Sequence, residues 1–311
     1  MSIDSSDETS QATGTSSLRV HLVDGTYELF RHFFGAPPRT AADGSEVGAV
    51  RGVVSSMVAM LGDGATHLGV ATDHVIESFR NAMWPGYKDG SGIDPVLRDQ
   101  FVPLEEALVA LGVRVWPMVD LEADDALASA AAVAADDPAV TQVLVCTPDK
   151  DLAQCVIGHR VVQLDRRAGT ITDEDGVRAK YGVDPLSIPD WLALVGDNAD
   201  GFPGLAGWGK KTAAVVLAHY GHIAAIPDRA ADWEPRVVRS VRGAATLAAR
   251  LADERTTAML FRDLATLRVD RSLLGAVDEL AWPGPTGDFA AVCRNFRDPA
   301  LAERAEALRP R

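Results

Sequence analysis

The chain has 311 residues, 47% of them apolar, and a formal charge of −14 from 44 acidic and 30 basic side chains. This allows one large or two medium domains with a substantial core, contains no apolar stretch near the roughly 20 residues of a membrane span, and argues against a broad nucleic-acid-binding surface, though not against a local basic strip. Cys146, Cys155 and Cys293 show neither metal nor disulfide spacing, which fits a reduced, cytoplasmic setting.

Residues 1–17 are rich in Ser, Thr and Asp and lack an apolar h-region, so they read as a disordered tail. Leu18–Val23 is a short apolar strand that ends in Asp24. A helix is predicted over Val47–Leu61, with Val50, Val54, Val58 and Leu61 at helical spacing. A second strand, Leu68–Thr72, ends in Asp73. Phe79–Pro95 is loose and rich in Gly and Pro, and a helix follows through Leu97, Leu104, Leu108 and Leu111. This stretch is long for a crossover, so 79–111 reads as a lid or arch over the sheet edge. Strand Val113–Trp116 leads to Glu122, Asp124 and Asp125 at the start of an Ala-rich helix, Glu122–Ala135. Strand Gln142–Cys146 leads to Asp149 and Asp151. Strands alternating with helices over 18–172 predict an α/β domain with a central, mostly parallel sheet flanked by helices. Beyond Thr172 the pattern is helical, with elements at Asp173–Tyr181, Pro189–Val195 and Lys210–Tyr220 in a region reaching 297; 298–311 reads as a surface helix or a frayed end.

In a parallel sheet, ligands collect beyond the carboxyl ends of the strands. The acids that follow the four runs therefore converge on one edge. Carboxylates crowded into a dry site raise each other's pKa and destabilise the fold unless a cation joins them. Mg²⁺ or Mn²⁺ is the natural partner for such oxygens. Taken alone, Glu122–Asp125 reads as a complement to the helix dipole, and Thr147–Asp151 as a turn with an N-cap. In combination they point to metal binding. Glu122 and Asp125 share a helix face while Asp124 points elsewhere, so one segment can serve two positions.

Gly196–Ala213 is the most specific segment. Gly204 to Lys210 superficially matches a P-loop, but Lys211 stands where Ser or Thr is needed and no strand precedes it. A glycine hairpin between two helices fits better. Gly204, Gly207 and Gly209 would open backbone amides at the start of the Lys210 helix to a phosphate, with Lys210, Lys211 and Thr212 beside them. On the lid, Arg80 and Lys88 with Tyr87 suit a phosphate chain carrying stacked bases. The histidines show no ligand spacing.

Taken in order, LVDG at Leu22–Gly25, FR at Phe79–Arg80 with WPGYK through Lys88, EADD at Glu122–Asp125, TPDKDLAQ at Thr147–Gln154 and GDNADGFPGLAGWGKKTA at Gly196–Ala213 resemble the bacterial 5′→3′ exonuclease and flap endonuclease family. That family includes the N-terminal nuclease domain of DNA polymerase I. The resemblance spans about Leu18 to Ala225, and since no polymerase follows, the chain looks like a stand-alone nuclease. It implies a PIN-like fold with a helical arch and a helix–three-turn–helix. It also implies a two-metal phosphodiesterase using Mg²⁺ or Mn²⁺. One ion would lie at Asp24, Asp73 and Asp124 with Glu122 or Asp125 close by. The other would lie at Asp149, Asp151 and Asp200 with Asp197 nearby; Asp197 and Asp200 enter through the family alone. Lys88 and Arg80 would contact the scissile phosphate, and the hairpin would grip duplex backbone, with K⁺ at its carbonyls. The implied partners are DNA with 5′ flaps, 5′ ends or nicks, and RNA–DNA hybrids, met by a monomer.

Three positions depart from the family. Ser91 replaces a second arch cation, Gly201 replaces an Asn, and Trp208 replaces an Ile. Two other readings follow from the residues: a structure-specific DNA-binding protein with weakened catalysis, and a PIN-type ribonuclease, which usually lacks such a hairpin.

Overall fold

The computed structural model describes residues 18–311, so the tail expected at 1–17 lies outside the described residues. Six short runs form one sheet: β1 (Leu18–Asp24), β2 (His67–Asp73), β3 (Arg114–Met118), β4 (Val140–Cys146), β5 (Val161–Asp165) and β6 (Thr170–Thr172). Their order is β3–β2–β1–β4–β5–β6; the first five run parallel and β6 pairs antiparallel with β5. The chain adds β2 and β3 on one side of β1, then crosses to add β4 and β5 on the other. The ends of β1 and β4 therefore flank the point where strand order reverses, where open α/β sheets bind ligands.

Both faces are covered, which is why the strands read as continuous apolar runs. Val20 and Leu22 of β1 face one layer, with Val143 and Val145 of β4. Val23, Leu144 and Cys146 face the other. That second face carries α1 (Gly25–Gly35) and α2 (Gly48–Gly62). The chain then passes through the short α3 (Phe79–Met83) and α4 (Pro95–Arg98) into α5 (Phe101–Leu111). α6 (Ala123–Asp136) packs on the opposite face.

Helix α5 corrects the expected arch. Leu104, Ala107, Leu108 and Leu111 are buried in the core with α2, so the helix belongs to the body. The candidate lid shrinks to residues 79–100.

The helical region comprises α7 (Glu174–Tyr181), α8 (Ile188–Val195), α9 (Lys210–Tyr220), α10 (Pro235–Ser240), α11 (Ala244–Asp253) and α12 (Arg255–Ala265). They enclose a core of their own, with Trp191, Trp208, Val216, Leu251 and Phe261 among its members. The chain then returns to the sheet, which corrects the boundary expected at 297. Leu274, Val277 and Leu280 join the α6 layer. Trp282, Phe289 of α13 (Phe289–Asn295) and Leu301 and Ala305 of α14 (Pro299–Ala307) join the opposite core. Arg51 Nε donates to Asp298 Oδ2 at 2.7 Å and ties α14 to α2. The segment expected as a frayed end is thus part of the core. Among the described residues no helix is long and apolar enough to cross a membrane.

Leu301→Ala should lower unfolding free energy by about 2–5 kcal/mol, as for other leucine truncations in packed cores. Urea unfolding measures it, and a loss under about 0.5 kcal/mol would mean that α14 is only a surface attachment.

Candidate metal and phosphate site

Asp24 closes β1 and caps α1. Its Oδ1 accepts from Tyr27 N at 2.8 Å and its Oδ2 from Thr147 Oγ1 at 3.0 Å. Asp73 closes β2, and its Oδ1 accepts from Ala123 N at 2.8 Å, the first amide of α6. Asp149 and Asp151 follow β4 in a turn where Asp151 N donates to Asp149 Oδ1 at 2.9 Å. Asp197 and Asp200 lie between α8 and α9, where Asp197 and Phe202 exchange backbone bonds of 2.8 and 3.0 Å. Parallel strands thus deliver one set of acids, and the start of the helical hairpin delivers the other.

The EADD segment divides. Asp125 is fully buried, and Arg80 grips it with two bonds, Nη1 to Oδ2 at 2.8 Å and Nη2 to Oδ1 at 2.7 Å. Glu122 N and Arg268 N also donate to Asp125, at 2.9 and 2.8 Å. Glu122 accepts from Ser78 Oγ at 2.6 Å and Tyr87 Oη at 3.2 Å, with Lys88 Nζ at 2.8 Å and Arg80 Nη1 at 3.1 Å. Burial pushes the Glu122 carboxyl up, but Lys88 and Arg80 outweigh it and hold the group below the usual range. The ligand roles expected of Glu122 and Asp125 do not fit this arrangement, because the buried Arg80 guanidinium pairs with both carboxylates. Arg80 is corrected with them. It is 1% exposed, and its Nε donates to Leu264 O at 2.8 Å, so the guanidinium is built into the interior. Tyr87 is also buried, with its hydroxyl on Glu122, and offers no ring for stacking a base.

The other acids face one another. Burial raises the Asp24 carboxyl to about 7, with Asp73 and Asp149 adding to the rise. Asp124 is pushed well up by burial and then by Asp149 and Asp24. Asp151 is pushed well up by burial, Asp149 and Asp200. Among the described residues, Asp151, Asp197 and Asp200 form the one group of three that can each offer an oxygen within 4.8 Å of the other two. The triad includes Asp197, which the sequence placed only nearby. Asp151 Oδ1 and Asp197 Oδ2 are buried and lack a well-aligned hydrogen bond. An all-oxygen donor set in which these two buried atoms face only a lysine ammonium fits a hard divalent cation. Two lysines border it. Lys88 Nζ stands 3.1 Å from Asp200 Oδ1, and Lys150 Nζ stands 2.6 Å from Asp197 Oδ2. Sequence reasoning missed Lys150 and Thr147, although a cation set between Asp149 and Asp151 was the available signal.

In the hairpin, Gly204 and Gly207 have φ of +71° and +87°, which favours glycine. Gly204 is half-buried and packed against backbone, since a Cβ there would lie 2.3 Å from Gly196 N. Gly207, Gly209, Lys210 and Lys211 are exposed and Thr212 is half-buried, at the N-terminal end of α9. These amides and ammonium groups form an open, positively charged corner.

Residues 19–182 match the family model described as 5′-3′ exonuclease, N-terminal resolvase-like domain, and residues 183–288 match 5′-3′ exonuclease, C-terminal SAM fold. The chain is 35% identical to DNA polymerase I of Pseudomonas aeruginosa over 92% of its own length and 32% of that protein's. It thus spans about a third of that relative. It is 30% identical to a 5′-3′ exonuclease of Buchnera aphidicola, covering 80% of this chain and 81% of the relative. The fold resembles the T5 D15 protein co-crystallised with metal ions, with TM-score 0.62 and 17% identity over 93% of this chain and 98% of that one. It also resembles the catalytic core of Rad2 in complex with DNA substrate, with TM-score 0.62 and 14% identity over 94% and 92%. At these identities the two structures speak for the fold alone.

Two expectations follow from the geometry. Arg80→Met should cost about 3–5 kcal/mol of stability in urea unfolding, because it strands a buried carboxylate. A loss under about 1 kcal/mol together with a large loss of DNA affinity would restore the phosphate-contact role. The second concerns pH. Asp24 has a folded-state pKa near 7 against 3.8 for an unperturbed group, so the native chain holds a proton that the unfolded chain releases. The group therefore lowers stability as pH rises from about 4 to 7. In metal-free protein, the stability of Asp24→Asn minus that of the parent should grow across that window and level off above it. A difference that is flat from pH 4 to 8 would refute the raised pKa.

Proposed function

This chain belongs to the 5′-3′ exonuclease family, and we propose that it hydrolyses DNA phosphodiester bonds at 5′ ends and 5′ flaps with the help of two divalent cations, Mg²⁺ or Mn²⁺. The observation that carries this reading is the set of buried, mutually repelling carboxylates at the switch point of the sheet, closed by the Asp151–Asp197–Asp200 triad. Asp24, Asp73 and Asp124 would hold one ion and the triad the other, with Asp149 facing both groups. Bound there, the cations would activate water and stabilise the leaving oxyanion.

The chain's own residues do the rest. With Arg80 committed to Asp125, Lys88 is the lid cation left for the substrate phosphate. Its side chain is 29% exposed and rests between Glu122 and Asp200, at the border of the acids. Glu122 and Tyr87 position it from behind, with Nζ 5.6 Å from the Tyr87 ring centre. The corner at Gly207–Lys211 suits the backbone of adjoining duplex, where phosphate contacts set position and carry no sequence information. K⁺ at the hairpin carbonyls, nicked DNA and RNA–DNA hybrids as substrates, a monomeric state and a cytoplasmic setting belong to the same proposal.

The test is cleavage of labelled 5′-flap DNA by purified protein in Mn²⁺, beside a matched RNA flap. Asp151→Asn should abolish cleavage with the fold intact by circular dichroism. Lys88→Ala should lower the single-turnover rate by about 10²–10³, the scale for loss of one electrostatic stabiliser, and change affinity much less. Lys210→Ala with Lys211→Ala should reduce the salt slope of binding by about one contact each. Undiminished turnover by Asp151→Asn, or preference for the RNA flap, would sink the reading.

A further inference from the structure

The two carboxylate groups differ in their counter-ions. Among the described residues, no Lys, Arg or His side chain lies within 4.0 Å of the carboxylates of Asp24, Asp73, Asp124 or Asp149. Every member of the triad has an ammonium that close. Lys88 Nζ meets Asp200 at 3.1 Å, and Lys150 Nζ meets Asp197 at 2.6 Å and Asp151 at 3.7 Å. The two lysines are held differently. Lys88 is fixed from behind by Glu122 at 2.8 Å. Among the described residues, Lys150 has no ion pair outside the triad, and its side chain is 32% exposed at the start of the turn Asp151–Cys155. The oxygens it faces, Asp151 Oδ1 and Asp197 Oδ2, are the two buried ones without a well-aligned hydrogen bond.

The Lys150 ammonium cannot stay 2.6 Å from Asp197 Oδ2 and 3.7 Å from Asp151 Oδ1 while a divalent ion takes both oxygens, because it would stand in the ion's own place between them and the like charges repel. A lysine on a flexible stem can move its head into water at small cost. We propose that Lys150 is a built-in competitor for the divalent cation at Asp151, Asp197 and Asp200. Its ammonium neutralises the triad in the metal-free protein and withdraws to solvent when the ion enters. The triad consequently fills at a higher cation concentration than the group around Asp24 and Asp124, which has no resident cation to displace. The inference rests on the two-cation reading of the site.

The experiment is an Mn²⁺ titration of the full chain, followed by electron paramagnetic resonance of free Mn²⁺, with thermal unfolding at each concentration. The parent should show a tighter and a weaker class of site. Lys150→Met should tighten the weaker class about tenfold or more, as expected when one unit charge is removed a few ångströms away, and leave the tighter class within about twofold. Metal-free Lys150→Met should melt below the parent and gain more from Mn²⁺, while Lys150→Arg keeps the weaker class weak. Lys150→Gln is read in the same way if the methionine variant does not fold. Unchanged or weaker Mn²⁺ binding in the neutral variants overturns the proposal. So does failure of both to fold while Lys150→Arg folds, since the ammonium would then be a structural fixture. Flap cleavage is scored on the same preparations. Cleavage by a parent whose sites fill equally refutes the competitor alone, whereas absence of any Mn²⁺ binding refutes the two-cation reading itself.

Discussion

The buried pair between Arg80 and Asp125 is the joint on which the site depends. It gathers three distant segments: the start of the lid at α3, the first turn of α6 and the end of α12. Asp125 takes two guanidinium bonds and two backbone amides, and Arg80 also donates to Leu264 O at 2.8 Å and Thr266 O at 3.3 Å and stands 3.1 Å from Glu122 Oε1. A buried network satisfied on every member is rigid, and losing one member leaves a charge in the interior. This fixes the N-terminus of α6, from which Asp124 faces Asp24 and Asp149 while its neighbour Asp125 faces inward. One residue of separation on a helix turns the side chain by about a quarter turn, so adjacent acids can serve structure and chemistry separately.

The remaining acids follow the opposite logic. They are brought close without enough partners, and burial with mutual repulsion raises Asp24, Asp124 and Asp151. Such a site is unfavourable until a cation enters, so folding and cation binding are coupled. The sheet can carry this load because its strands are covered on both faces and the repulsion falls on turns beyond their ends. The overall charge of −14 does not exclude a local positive corner, because Lys210 and Lys211 are exposed beside the open glycine at 209.

Much of this was legible in the residues. The four main strands show as short apolar runs because both their faces are buried, and the acids after them point to the sheet edge by topology alone. β5 and β6 escaped notice because Val161–Asp165 and Thr170–Thr172 are short and lack a helix between them. Helical periodicity does not say what a helix packs against, so the sequence alone lets α5 pass for part of an arch. The same limit applies to Arg80. Its motif shows a cation beside aromatic residues, but only the fold shows that Asp125 and two backbone carbonyls surround it. Tyr87 and Glu122 fall to the same cause. Residues close to a reactive centre in sequence divide between touching it and supporting it, and burial decides which.

The departures from the family pattern bear on the weakened-catalysis reading. Gly201 has φ of +80°, and a Cβ there would lie 1.9 Å from Gly86 O. No side chain fits while the lid segment is seated as it is. That seat is made by Lys88 N donating to Asp200 O and Trp84 Nε1 donating to Gly201 O, both at 3.1 Å. The orientation of Asp200 that an Asn amide would supply is supplied here by Lys88 Nζ and by this backbone docking. Glycine at 201 is therefore matched to glycine at 86 as a pair, and the loss of the amide is a repacking of the site. Trp208 is buried in the helical core with its ring centre 6.3 Å from that of Trp233. Ser91 differs from both. It is exposed and its hydroxyl donates to Asp89 at 2.5 Å, closing a turn and carrying no charge. Of the three departures it alone takes a cation from the lid, so under the proposed function it would bear on the hold on a 5′ single strand and leave the acids at the strand ends as they are.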